Sequence, residues 1–265
     1  MAQSSFSAST LQLKANDLVY DSVTQRIYAT VPSANGSNGN SIGVINPITA
    51  TLDSTIFVGS EPSVMAISEG GQYIYAGFTG SSTVRRFNIA TLQVDKTIPL
   101  GNTGSGSGST PLFANDIEVM PGSPLVIAVS LKNKVYSPSH EGVAVYDDGV
   151  KRPTVTANHT GSNQIEFSEQ QPNRLFGYNN ESTEFGLRYH TVLGSGVTTN
   201  GVYPNLFSDF YIDFIYASGK LYSTNGTAVD VSGTPYVDGQ FGNATGPVAY
   251  DYGMNRVCYA SSSSF

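Results

Sequence analysis

Two stretches decide the fold: Arg26-Ile-Tyr-Ala-Thr-Val31 and, 47 residues on, Tyr73-Ile-Tyr-Ala-Gly-Phe78. Each is rich in β-branched and aromatic residues, which suit a pleated, half-buried strand. The segment recurs as Leu125-Val-Ile-Ala-Val-Ser130, Arg174-Leu-Phe-Gly-Tyr-Asn179, Lys220-Leu-Tyr-Ser-Thr-Asn225 and Arg256-Val-Cys-Tyr-Ala-Ser261. Aligning Ile27, Ile74, Val126, Leu175, Leu221 and Val257 gives spacings of 47, 52, 49, 46 and 36, so the chain reads as six repeats.

Before each copy stands another short apolar run and a polar turn, as in Asp17-Leu-Val-Tyr20, Ser63-Val-Met-Ala-Ile67, Asp116-Ile-Glu-Val119 and Phe210-Tyr-Ile-Asp-Phe214. The pair reads as a hairpin. A third run follows, exemplified by Ile42-Gly-Val-Ile45, Val84-Arg-Arg-Phe87 and Val143-Ala-Val-Tyr146, each ending at an Asn or Asp suited to a turn (Asn46, Asn88, Asp147). A fourth is clearest at Leu52–Gly59 and Val94–Gly101. Four antiparallel strands per repeat is the blade of a β-propeller. The expected fold is all-β, a single propeller domain over 1–265 with repeats near 11–61, 62–110, 111–161, 162–208 and 209–246 and a partial one at 247–265. No window carries a helical period long enough to compete.

The pattern resembles the bacterial β-propeller repeat proteins named for a Tyr-Val-Thr-Asn strand signature. Their apolar strand ending in Asp or Asn, a Thr-containing turn and a closing Ile-x-Val-Gly strand are matched by Val84 through Asn88-Ile-Ala-Thr91 to Ile98-Pro-Leu-Gly101. Ile45-Asn-Pro-Ile-Thr49 with Ile56-Phe-Val-Gly59 before Glu61-Pro62 matches them too. Tyr222-Ser-Thr-Asn225 is the nearest copy of the signature itself. The resemblance implies a secreted or cell-surface bacterial protein with a binding or scaffolding role. Such propellers often have seven blades.

The sixth repeat supplies two strands, while Thr10-Leu-Gln-Leu-Lys14 and Ser5-Phe-Ser-Ala8 precede the first repeat. Two readings follow. Either the two termini jointly complete a six-bladed ring, or the chain is a fragment of a longer, seven-bladed propeller; the polar Ser261-Ser-Ser-Ser-Phe265 end favours the second.

Composition narrows the function. Thirteen Lys plus Arg against 20 Asp plus Glu, with no basic run longer than Arg85-Arg86, is no nucleic-acid footprint. One cysteine, Cys258, excludes an internal disulfide framework and a Cys-based zinc site. The apolar run Pro124–Leu131 is far short of the roughly 20 residues a membrane helix needs. Met1-Ala-Gln-Ser-Ser shows no basic or apolar export region, so the extracellular or periplasmic expectation rests on the resemblance.

Chemistry in propellers gathers where the loops enter the innermost strands. Those entries carry Asp17, Asn115, Asn163 and Asp209, oxygen donors from four blades that could converge on Ca²⁺. The arrangement is similar to that of six-bladed calcium-dependent lactonases, which use Glu, Asn, Asn and Asp; the Glu is replaced here by Asp17. Asx residues also begin strands simply to stabilise turns. Glu118, Glu166 and Asp213, within the expected innermost strands, are expected to make an acidic lumen. His140, His159 and His190 fall at separate loops or strand ends, His190 in the turn slot of Asn46, Asn88 and Asp147. The Gly104–Ser109 run is expected to be a loop between blades, not a nucleophile elbow. Tyr28, Tyr75, Phe176, Tyr222 and Cys258 recur once per repeat and are expected to pack between blades.

No catalytic constellation emerges. The leading expectation is a monomeric, non-catalytic propeller binding an unknown protein or glycan partner on a loop face. The alternative is a lactonase- or esterase-like hydrolase with Ca²⁺ at the channel mouth. A haem- or quinone-linked propeller is a distant third, with no haem-attachment Cys pair and no Trp.

Overall fold

Each repeat folds as an antiparallel sheet whose strands lie in chain order. The computed structural model describes residues 9–260 except Ser105, Ser107 and Asn243. Blade 1 holds β1 (Leu18–Asp21), β2 (Arg26–Val31), β3 (Ser41–Asn46) and β4 (Thr51–Phe57). Blade 2 holds β5 (Pro62–Ile67), β6 (Tyr73–Phe78), β7 (Thr83–Asn88) and β8 (Gln93–Pro99). Blade 3 runs through β9 (Phe113–Val119), β10 (Val126–Lys132) and β11 (His140–Asp147) to a two-residue β12 (Val150–Lys151). Blade 4 has β13 (Gln164–Phe167), β14 (Arg174–Tyr178), β15 (Leu187–Leu193) and β16 (Gly196–Tyr203). Blade 5 has β17 (Phe214–Ala217), β18 (Lys220–Ser223), β19 (Thr227–Asp230) and β20 (Tyr236–Gln240). A two-stranded sheet, β21 (Val248–Asp251) with β22 (Arg256–Tyr259), follows. The fold is an all-β propeller of five four-stranded blades and a partial sixth.

Local chemistry sets the turns. Asn46 Oδ1 accepts the N–H groups of Ile48 and Thr49, and Asn88 Oδ1 accepts that of Thr91, so the Asn-x-x-Thr spacing closes the hairpin between the third and fourth strands. Between the first two strands Asp21 Oδ1 accepts Val23 N–H, and Asp251 Oδ1 does the same for Gly253 and Met254.

The core is distributed between blades. One buried cluster joins Tyr28 and Ile42 of blade 1 to Met65, Ile74 and Phe87 of blade 2. Others join blades 2 and 3 (Tyr75, Val84, Ile117, Ile127), 3 and 4 (Val143, Val145, Ile165, Leu175) and 4 and 5 (Phe176, Tyr189, Phe214, Leu221). A smaller one joins Tyr222 and Ala228 to Val248 and Val257 of the last sheet. Blades 2 to 5 thus bury both faces against their neighbours. Tyr28, Tyr75, Phe176 and Tyr222 are buried in these seams as expected, but Cys258 is exposed.

Several expectations need correction. In blade 3 the register makes Ile127, opposite Tyr146 and Val119, the equivalent of Ile74 opposite Phe87 and Ile67; Val126 is one residue out of step. The innermost strand of blade 5 begins at Phe214, where the Phe210–Phe214 reading ends. Thr10–Lys14 forms no strand: Leu11 and Leu13 share an apolar cleft with Leu18, Ile27 and Ile45 on blade 1. This is the face that in blades 2 to 5 meets the preceding blade. Ser5–Ala8 and Ser261–Phe265 lie outside the described residues. The Gly104–Ser109 run connects blades 2 and 3, framed by an antiparallel bridge between Asn102 and Pro111.

Candidate functional site

The register places Asp17, Val64, Asp116, Gln164, Asp213 and Pro247 at one equivalent position at the start of successive innermost strands. Aspartate therefore occupies alternate blades. Each Asp accepts the next residue's N–H through Oδ1: Leu18 at 2.8 Å, Ile117 at 2.9 Å and Phe214 at 2.8 Å. Asp17 and Asp116 also reach across a blade boundary through Oδ2, to Met65 N and Ile165 N, both at 2.7 Å. Two residues along, on the same side of the strand, stand Glu118 and Glu166 in adjacent blades.

These five carboxyl groups line a channel cavity of about 440 Å³ whose remaining wall is largely apolar, with Val19, Ile165 and Phe214 among its side chains. The acidic lumen expected from Glu118, Glu166 and Asp213 is therefore present, with Asp17 and Asp116 added. Burial raises Asp17 to about 6 against the pull of its two N–H bonds, with the Asp213 charge adding to the rise. Burial first and mutual repulsion second hold Asp116 and Glu118 well above the ordinary carboxylate range. Glu166 is raised by burial and neighbouring charges, and Asp213, which opens onto the channel, chiefly by the protein surrounding it. The cluster resists carrying a full set of charges and keeps protons at pH values where ordinary carboxylates have lost them.

A second cavity, about 430 Å³, lies beside the first on the seam of blades 3 and 4. Asn115, Lys132, Ser139, Asn163, Gln164 and Glu181 line it. Asn115 Nδ2 donates to Asn163 O at 2.7 Å and to Gln164 Oε1 at 3.1 Å. Asn163 Nδ2 donates to Glu181 Oε2 at 3.0 Å, and Glu181 also accepts Ser139 N and Oγ. Asn163 Oδ1 is buried without a partner among the described residues.

Of the four donors singled out for Ca²⁺, Asn115 and Asn163 thus meet in the second cavity. Asp17 belongs to the first, and Asp209 is exposed, its Oδ1 accepting Phe210 N. As placed, they are divided between two cavities and the surface, and both Asp17 oxygens already accept backbone N–H groups. Among the described residues no group of three or more His, Cys, Asp or Glu side chains is arranged to hold a metal ion.

His190 is not a turn residue. It lies inside β15 opposite Leu175, the place held by Ile45, Phe87 and Tyr146, and Thr191 takes the turn slot opposite Arg174. Its Nε2 is 2.7 Å from Ser162 Oγ and its Nδ1 3.1 Å from Thr199 Oγ1. Ser162 and His190 are each 1% exposed, so this Ser–His pair is a seam contact that no substrate reaches. His140 is buried nearby with neither ring nitrogen bonded among the described residues. Burial, with the Arg188 charge adding, pushes both imidazoles down to about 3.

Lys132 and Glu181 went unread in the sequence. Lys132 ends β10 and Glu181 sits in the β14–β15 loop, and neither belongs to a recurring position. Only the packing of blades 3 and 4 brings them together.

No family model matches the chain, and no curated protein matches it in sequence. Among solved structures, a chain of Kuenenia stuttgartiensis hydrazine synthase is similar, with TM-score 0.66 and 15% identity over 95% of this chain and 74% of that one. At that identity the likeness is one of fold.

Proposed function

We propose that this propeller is a non-catalytic binding module whose ligand enters at the channel mouth, on the side of the second cavity. The observation that carries this reading is the contrast between the two polar assemblies. The buried Ser162–His190 pair has the distances of a nucleophile and base but no access. The accessible cavity offers Lys132, amides and serine hydroxyls without an activated nucleophile. The strand pattern of repeats one and two supports placing the chain among the bacterial Tyr-Val-Thr-Asn-type propellers, and with them a secreted or cell-surface setting and a protein or glycan partner.

The test is a panel of lactones and esters with the purified chain, with Ca²⁺ and with chelator, alongside thermal melts in both. The expected result is no turnover and equal melting temperatures. Turnover lost in Asp17→Ala, or a calcium-dependent rise of several degrees lost in that variant, would instead support a metal at the channel mouth and the hydrolase reading.

A further inference from the structure

Resting on that binding reading, the second cavity carries a more specific one. Among the described residues Lys132 is the one basic side chain lining either of these two cavities. It is partly buried, and burial lowers its pKa. Among the described residues it makes no ion pair or hydrogen bond, whereas Lys96 pairs with Asp148 and Lys220 with Asp238. An unpaired, partly desolvated ammonium is costly, and a ligand anion would offset that cost. Glu181, the carboxylate that lines the same cavity, is already engaged by Ser139 and by Asn163 Nδ2.

Around Lys132 the wall is polar: Asn115, Asn163, Gln164, Asn180, Ser137 and Ser139, with Glu181 as its carboxylate, whose oxygens accept Ser139 N, Ser139 Oγ and Asn163 Nδ2. The last lining residue is an aromatic. Tyr211 is 87% exposed and sits at φ 59°, a left-handed backbone that a bulky residue rarely adopts, with its N–H donated to Asn180 O at 3.1 Å. Strain of that kind persists where surrounding structure enforces it and gathers at binding sites. Next to it Phe210 packs edge-on to Phe185, ring centroids 4.7 Å apart, behind the cavity wall, and Tyr211 is the aromatic that the cavity itself presents beside its polar floor.

We propose that this cavity binds a sugar acid. The carboxylate pairs with Lys132 Nζ, the ring hydroxyls meet the amide and serine groups, and the apolar C–H face of the pyranose lies on Tyr211. A simple anion leaves the aromatic rim unused, and a neutral sugar leaves Lys132 unpaired. The volume of about 430 Å³ falls within the roughly 300–1,000 Å³ typical of small-molecule sites.

The test is calorimetric titration of the full chain with sodium glucuronate, sodium galacturonate, glucose, sodium acetate and a glutamate-rich peptide. One uronate should bind at least about tenfold more tightly than glucose or acetate, the gap expected for one charge-assisted contact. Lys132→Met should abolish the preference of the site for uronate over glucose. Tyr211→Ala, at an exposed position that the fold does not need, should weaken uronate several-fold while leaving the melting temperature unchanged. Equal binding of glucose and uronate, an unaltered preference in Lys132→Met, or no uronate binding at millimolar concentration overturns the inference. Peptide binding that is tighter than any uronate and lost in Lys132→Met overturns the sugar-acid assignment while the binding reading stands; that reading fails on turnover in the lactone and ester panel.

Discussion

Asp116 Oδ2 accepts the backbone N–H of Ile165 from the neighbouring blade at 2.7 Å. Its other oxygen holds Ile117 N of its own strand, so one carboxyl group staples two innermost strands, as Asp17 does for blades 1 and 2. Asp116→Ala leaves two N–H groups without their acceptor and should cost about 1–3 kcal/mol in urea unfolding. Asp116→Asn keeps one carbonyl acceptor and removes the repulsive charge, and should cost clearly less. Equal losses in the two variants would show that the staple contributes nothing beyond side-chain volume.

The acidic channel gives stability a defined pH dependence. For a carboxyl group whose folded pKa stands above its unfolded value, the native state keeps the proton longer. Its contribution is then complete below the unfolded value of 3.8 for Asp or 4.5 for Glu and is lost as pH rises through the folded value. His140 and His190 act oppositely: with folded values near 3, their contribution is present above 6.5 and declines as pH falls below it. Above about pH 6.5 these histidines are neutral whether folded or unfolded, so the channel carboxyls set the slope, and lowering the pH from 8 toward the Asp17 value of about 6 should raise the melting temperature. Glu118→Gln, which mimics the protonated form, should add about 1 kcal/mol, or about 2–4 °C, at the alkaline end and flatten the profile. A melting temperature that climbs steadily toward pH 8 would contradict this account.

The parts of this molecule that a sequence shows are those that recur. Ile74, Leu175 and Leu221 are fully buried second-strand residues, because each of these blades presents an apolar face to the preceding one at the same register, and Ile27, half-buried beside Leu11 and Leu13, keeps the same pattern in blade 1. Asn46 and Asn88 announce their turns because the side chain itself bonds the turn backbone. Blade 3 slipped by one residue because Leu125-Val-Ile-Ala-Val is apolar throughout and carries no alternation to fix its phase. His190 was misplaced for a related reason: a polar residue at a buried position is justified only by Ser162 and Thr199, which come from a distant loop and from another strand. The second cavity was hidden because Lys132, Asn163 and Glu181 meet across a blade boundary.

That buried pair has its own test. The space beside it is fully used, since a methyl group at Gly177 would stand 2.0 Å from Ser162 Oγ and 2.9 Å from His190 Nε2. Gly177→Ala should therefore destabilise by about 1–3 kcal/mol through displacement of the Ser162 hydroxyl. His190→Ala should cost at least as much, by leaving a cavity and the buried Ser162 hydroxyl unpaired. Wild-type stability in Gly177→Ala would mean that the seam is looser than its geometry implies.

The propeller's first blade differs from the others in how its preceding-blade face is covered. Leu18 is 56% exposed, whereas Ile117 at the same register in blade 3 is 1% exposed and Met65 in blade 2 is 6% exposed. A preceding blade seals the latter two, while Leu18 has Leu11 and Leu13 for neighbours across an apolar cleft. Burial decides the cost of truncation, so Ile117→Ala should lose about 2–5 kcal/mol and Leu18→Ala no more than about 1 kcal/mol. Adding Leu11→Ser and Leu13→Ser to Leu18→Ala should then cost little more. A loss from Leu18→Ala as large as that from Ile117→Ala would show that this face is sealed in solution, and hydrogen exchange at Leu18 to Asp21 would locate the covering contact.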